Sequence, residues 1–284
     1  MLFDFHSGDY IFYDGAMGTM LQANGLQSGM RPDIMNITAP DIVEKVHRMY
    51  VDAGSDIICT NTFGSNALTL KESGHSPEEV ITAAVSAAKR AADGRAKVAL
   101  DIGPVGYLLE PLGDLASDRA YELFKEQAIC GEKSDADLAA IETMSDLNEM
   151  KTAILAVTEN TALPVFATMT FGKTGRTYTG CTPEDFATMA ERLGVSAVGL
   201  NCSLEPSEMY ETAERIAKST RLPLIVKPNA GLPDSKTGLY SLDPAEFARQ
   251  MLPFAEIGAT IIGGCCGTTP DYIRELKGVF SAIM

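Results

Sequence analysis

Short apolar runs of four to six residues alternate along the chain with longer stretches whose apolar positions recur at helical spacing, and the alternation repeats eight times. The strands are expected at Tyr10–Tyr13, Asp56–Phe63, Val98–Ile102, Leu138–Thr143, Val165–Thr170, a sixth run ending at Cys202, Leu222–Lys227 and an eighth run leading to Cys265 and Cys266. Between them the spacing predicts helices near Asp41–Ala53, Pro77–Ala92, Ser117–Glu132, Leu147–Val157, from Pro183, Glu208–Lys218, Pro244–Leu252 and Pro270–Val279. Prolines at helix starts and Gly54 after the first helix mark boundaries. Near-continuous apolar strands alternating with helices predict a parallel sheet covered on both faces. Eight units in 284 residues fit a single (β/α)8 barrel spanning 1–284. An open doubly wound sheet is the alternative, but no Gly-rich phosphate turn with an acidic partner supports its dinucleotide-binding form.

In such barrels chemistry sits at the carboxyl ends of the strands. The unexpected polar residues fall there: Asp14, Asn61, Asp101, Glu142, Asn201, Cys202, Asn229, Cys265 and Cys266. Two adjacent cysteines point to opposite faces of a regular strand, so they serve one ligand only where the backbone turns. Gly263, Gly264 and Gly267 permit that turn. The pair alone is equally compatible with buried small apolar residues or a strained disulfide. Cys202 adds a third thiol at another strand end. Three thiolates leave one coordination position open, which suits a working zinc better than a structural one. Asn229, between these strand ends, is placed to offer an amide oxygen as fourth ligand without substrate, or is simply a turn residue of Pro228-Asn229-Ala230-Gly231.

Composition narrows the remaining options. The net charge of -15 argues against nucleic acid and anionic membrane surfaces. No apolar run reaches membrane-spanning length, and the first residues lack the pattern of a secretory signal, so a cytoplasmic location is expected. Six cysteines then suggest reduced thiols and metal rather than disulfides. Cys59, Cys130 and Cys181 are read as structural, and His6, His47 and His75 as surface or packing residues. The 13 methionines read as core filler.

Taken together, Asp14-Gly15-Ala16-Met17-Gly18-Thr19, Asn36-Ile37-Thr38, Thr60-Asn61-Thr62-Phe63, Gly103-Pro104, Glu142-Thr143, Asn201-Cys202-Ser203, Pro228-Asn229-Ala230-Gly231 and Gly263-Gly264-Cys265-Cys266-Gly267-Thr268-Thr269-Pro270 resemble the homocysteine S-methyltransferase family. The resemblance covers nearly the whole chain. Its ending after the cysteine pair is most similar to the homocysteine-binding module of cobalamin-dependent methionine synthases, whereas relatives using S-methylmethionine tend to have arginine where Gly267 stands. The resemblance implies Zn2+ held by Cys202, Cys265 and Cys266, and homocysteine bound through its sulfur as a thiolate. Three anionic sulfurs more than cancel the metal charge and keep that thiolate nucleophilic, so methyl transfer gives methionine without a general base. For the amino-acid end, Asp14 and Glu142 suit the ammonium, the N–H groups of Gly15 and Ala16 suit the carboxylate, and Asn201 is a further candidate for substrate binding. Thr60, Asn61 and Asp101 are secondary candidates for loop architecture or pocket wall.

Folate- and cobalamin-binding modules are not found in this sequence. The expected methyl donor is therefore methylcobalamin or another methylcorrinoid on a separate protein, or methyltetrahydrofolate acting through it. Direct transfer from S-methylmethionine or a betaine, or a non-catalytic zinc- or thiol-binding accessory subunit, are the alternatives.

Overall fold

The computed structural model describes residues 9–27, 29–234 and 240–283; His6 lies outside them. Eight parallel strands run β1 Ile11–Phe12, β2 Ile57–Cys59, β3 Lys97–Ile102, β4 Leu138–Met144, β5 Val165–Met169, β6 Ala197–Asn201, β7 Leu224–Lys227 and β8 Ala259–Ile262. Each pairs with its sequence neighbour, and β8 returns to β1 through Ile11↔Ile261 and Phe12↔Ile262. The ring closes between β1 and β2, where Tyr13 pairs with Ile57, Asp56 N–H donates to Phe12 O at 2.7 Å and Asp14 N–H donates to Ile57 O at 3.0 Å. The fold is the expected (β/α)8 barrel.

The helices begin and end where the sequence marks them. Ser76 and Glu79 form a reciprocal capping box ahead of Pro77–Ala92, satisfying backbone donors that the first turn leaves free. Asp146, Thr182 and Asp243 cap later helices through side-chain oxygens. Alternation along the strands builds two apolar layers. Ile11, Tyr13, Ile57, Cys59, Ala99, Leu138, Ala140, Phe166, Ala197, Ile225 and Ile261 fill the barrel interior. The opposite parity, including Phe12, Ile58, Val98, Leu100, Ile141, Val198 and Val226, packs outward with the helices.

Three differences from the sequence reading concern strand ends. β2 stops at Cys59 rather than continuing to Phe63, because Thr60 N–H still reaches Ala99 O but Thr62 N–H folds back onto Thr60 O. Cys202 lies just beyond β6 in the left-handed region, with φ of 62°, as does Ser203. Cys265 and Cys266 follow β8 across two glycines rather than ending it. Short helices at Met17–Ala23, Met35–Thr38 and Pro253–Glu256 had no counterpart in the predicted pattern.

Candidate functional site: a cysteine cluster over a charged cavity

The carboxyl ends of β6, β7, β8 and β1 are laced together by backbone hydrogen bonds. Cys202 N–H donates to Lys227 O at 3.0 Å, Cys265 N–H to Pro228 O at 2.8 Å, Ala230 N–H to Cys266 O at 2.9 Å, and Gly264 N–H to Asp14 O at 3.2 Å. This lacing fixes the three cysteines against one another. Their sulfurs lie within 4.8 Å of one another, and Cys202 Sγ is 3.8 Å from Cys266 Sγ. With zinc–sulfur bonds of about 2.3 Å, the edge of a tetrahedral site is about 3.8 Å. The cluster therefore fits a tetrahedral metal in its spacing and its donor type.

Without a metal, the three thiols share negative charge. Contacts with the Cys265 and Cys266 side chains pull the Cys202 thiol down to about 3. Cys266 is pushed up to about 11, chiefly by its contact with Cys202, and Cys265 is raised further by contacts with Cys202 and Cys266. Cys59, Cys130 and Cys181 lie outside this cluster. Cys59 lines the cavity beneath it, and burial raises its thiol.

Two asparagines orient the cluster. Asn201, fully buried, accepts from Thr143 N–H at 2.9 Å and Thr168 Oγ1 at 2.8 Å, and donates to Thr143 Oγ1 at 2.7 Å and Cys265 Sγ at 3.8 Å. These bonds hold Thr143 at φ 61°, a costly conformation for a β-branched residue. Asn229 Oδ1 accepts Cys266 N–H at 3.0 Å, and its side chain also hydrogen-bonds Cys202. That oxygen reaches a metal only through its second lone pair or by releasing Cys266.

Below the sulfurs, a cavity of about 290 Å³ is bordered by Asp14, Gly15, Ala16, Cys59, Asp101, Glu142, Thr143, Lys227 and the cysteines. The polar groups on its floor follow from strand parity: Asp101, Glu142 and Lys227 each stand two residues beyond an inward apolar residue, Ala99, Ala140 and Ile225. Lys227 was not singled out from the sequence, although the break in Leu224-Ile225-Val226-Lys227 at an inward position was available as a signal. Its Nζ pairs with Glu142 Oε2 at 2.5 Å, lies 4.0 Å from Cys59 Sγ and stands 4.3 Å from the centre of the Tyr13 ring. Burial disfavours the ammonium, but its electrostatic coupling to the acidic groups around it, Cys59 and Glu142 first, holds its pKa well above the lysine value.

Asp14 Oδ2 accepts Cys59 N–H at 2.8 Å, yet burial raises its carboxyl to about 7. Asp101 is raised more strongly, by burial and then by the charge of Glu142. The Ala16 N–H donates to Thr268 O at 3.0 Å, so it is not free for the substrate carboxylate that the sequence reading assigned to it. Gly15 must be glycine here, because a Cβ would stand 2.6 Å from Thr268 Oγ1. Gly267 has φ of 83°, and a Cβ there would run into the Tyr240 ring. Of the histidines, His47 is fully buried with neither ring nitrogen bonded, and burial lowers it to about 4; His75 is partly exposed at the start of a helix. Neither lines the cavity.

Fold and site together define a (β/α)8 barrel whose mouth holds a cluster of three cysteines spaced to accept a metal ion above an acid-rich cavity. The chain belongs to the homocysteine S-methyltransferase family, whose model matches residues 11–280. It is 36% identical over 285 residues to a methionine synthase of Mycobacterium leprae and 37% identical over 292 residues to one of Mycobacterium tuberculosis. These alignments cover 93% and 95% of this chain but only 24% of each relative, so the chain spans about a quarter of their length. Among solved structures, the homocysteine methyltransferase MmuM from Escherichia coli superimposes with TM-scores of 0.84 in an oxidized form and 0.82 in a metallated form. Both are 22% identical and cover 95% of this chain and 96% of theirs; they attest the fold.

Proposed function

We propose that this barrel binds zinc through Cys202, Cys265 and Cys266 and transfers a methyl group to the thiol of homocysteine, giving methionine. The observation that carries the reading is the convergence of three sulfurs within 4.8 Å at the mouth of a cavity with carboxylates at its floor. When bound, zinc supplies a positive centre that keeps an incoming thiol ionised at neutral pH. The chain's own groups do the rest. Asp14 and Glu142 attract the substrate ammonium, the Gly15 N–H receives the carboxylate while the Ala16 N–H stays on Thr268 O, and Asn201 and Asn229 hold the cysteines in register. The sulfur, fixed at the cavity mouth, forms the S–CH3 bond as the methyl's bond to its donor breaks. The thiol proton has by then left to solvent, and no side chain in the cavity is required as a base.

For the donor we propose a methylcorrinoid carried on a separate protein or module, with methyltetrahydrofolate acting through it. Large apolar side chains stand exposed in loops following the strands: Phe63 after β2, Tyr107, Leu108 and Leu112 after β3, Tyr178 after β5 and Leu232 after β7. A rim of this kind suits a macromolecular donor better than a small one. Gly267 supports the same choice, since a side chain at that position meets both a positive φ and the Tyr240 ring.

The test combines metal analysis with a donor screen. One zinc per chain is expected, falling to near zero in each of Cys202→Ala, Cys265→Ala and Cys266→Ala, with methionine formed from homocysteine and methylcobalamin and lost in step with the metal. Full turnover by metal-free protein would refute the mechanism. Faster turnover with S-methylmethionine or a betaine would replace the donor, and none with any donor would favour an accessory thiol-binding role.

A further inference from the structure

We propose that Asp101 is the additional residue that binds the cationic end of the substrate, making the cavity selective for a thiol that carries an ammonium group. The inference rests on the proposed thiol substrate and concerns only how its far end is recognised.

Three carboxylates border the cavity, and two are already engaged. Glu142 is paired with Lys227, and Asp14 accepts the Cys59 N–H. Asp101 differs from both. Its backbone is fixed, with N–H donating to Thr60 Oγ1 at 3.0 Å and C=O accepting from Thr62 Oγ1 at 2.7 Å. Its side chain is 8% exposed, borders the cavity, and has a buried oxygen, Oδ1, with no hydrogen-bond partner. A buried carboxylate oxygen left unpaired is costly and is seldom retained without a ligand to meet it.

Charge balance points the same way. Burial and the charge of Glu142 raise the Asp101 carboxyl, so the cavity with Lys227 as its one cation favours the neutral acid, and an incoming ammonium beside Oδ1 favours the carboxylate. A substrate ammonium thus supplies both the charge and the donors that Oδ1 lacks. Strand parity aims Asp101 inward, two residues beyond the interior residue Ala99, so the position is set by the barrel rather than by a loop. Anchoring at the floor in this way leaves the substrate sulfur to meet the cysteine cluster at the mouth.

The experiment measures binding by titration calorimetry to the zinc-loaded chain at pH 8. The probes are L-homocysteine and 4-sulfanylbutanoate, which keeps the thiol and carboxylate but lacks the ammonium. Wild-type protein is expected to prefer homocysteine. Asp101→Asn, close to isosteric, is expected to weaken homocysteine binding by about tenfold to a hundredfold, the range for a hydrogen bond to a charged group. Its affinity for 4-sulfanylbutanoate and its zinc content should stay as in wild type, which also reports that the variant is folded. Equal affinity of wild type for the two probes, or unchanged homocysteine affinity in Asp101→Asn, would overturn the assignment while leaving the thiol site standing. Failure of wild type to bind either thiol would overturn both.

Discussion

The buried pair of Lys227 and Glu142 permits a quantitative test. Lys227 is 4% exposed and, among the described residues, its close anionic oxygen is Glu142 Oε2, at 2.5 Å. Replacing it by methionine keeps most of the stem volume but strips Glu142 of its cation inside the barrel. Breaking a buried ion pair from one side costs about 3–5 kcal/mol, because the remaining charge is left desolvated. At roughly 2 °C per kcal/mol for a chain of this size, the midpoint should fall by about 6–10 °C. Lys227→Met together with Glu142→Gln removes both charges and should recover most of the loss, ending within about 1–2 kcal/mol of wild type. Urea denaturation of the four proteins at pH 7.5 closes the cycle and isolates the coupling. The sign with pH is also fixed. The folded Lys227 pKa is raised, so its stabilisation is complete below the unfolded lysine value near 10.5 and is lost only as pH rises through the folded value. The lysine's own ionisation should therefore cause no change in stability between pH 6 and 9. A single variant as stable as wild type, or a double variant no better than the single, would refute the claim that this pair is buried and mutually dependent.

Other perturbations test separate parts of the structure. Glu149, buried and accepting Val105 N–H at 2.7 Å, has its carboxyl raised from 4.5 to about 7 by burial, so wild-type stability should fall as pH rises through that window. Glu149→Gln keeps the acceptor without the charge, and its stability relative to wild type should improve by up to about 3 kcal/mol between pH 4 and pH 8 in urea titrations; parallel profiles would contradict the assignment. Asn201→Ala removes four hydrogen bonds and leaves Thr143 and Thr168 unsatisfied. It should cost about 2–4 kcal/mol of stability and weaken zinc about tenfold or more in competition with a chromophoric chelator; unchanged values of both would show that the asparagine does not brace the site.

The barrel was legible because its evidence is local and repeated. Strands such as Val165–Met169 and helices such as Pro77–Ala92 carry period, length and caps in their own residues, and the structure places them within a few residues of expectation. Asp14, Glu142, Asn201 and the cysteines were also visible, as polar residues interrupting apolar strand ends. Lys227 was not, because one lysine closing an apolar run reads equally well as a surface residue until barrel closure fixes which parity faces inward. The role of Cys59 beside it was hidden for the same reason. β2 looked longer than it is, since Thr60-Asn61-Thr62-Phe63 is β-prone in composition while its hydrogen bonds turn back on themselves.

The order of strands and helices, the excess of acid and the three thiols near strand ends are properties of the chain itself, because periodicity and residue chemistry are written one position at a time. Which groups meet is a property of closure. Only when β6, β7 and β8 pair side by side do Cys265 and Cys266 come against Cys202, 63 and 64 positions earlier in the sequence, and only when the ring curves shut does Lys227 on β7 find Glu142 on β4 rather than water. Distances across a barrel are set by strand register and curvature, and neither is encoded at any single residue.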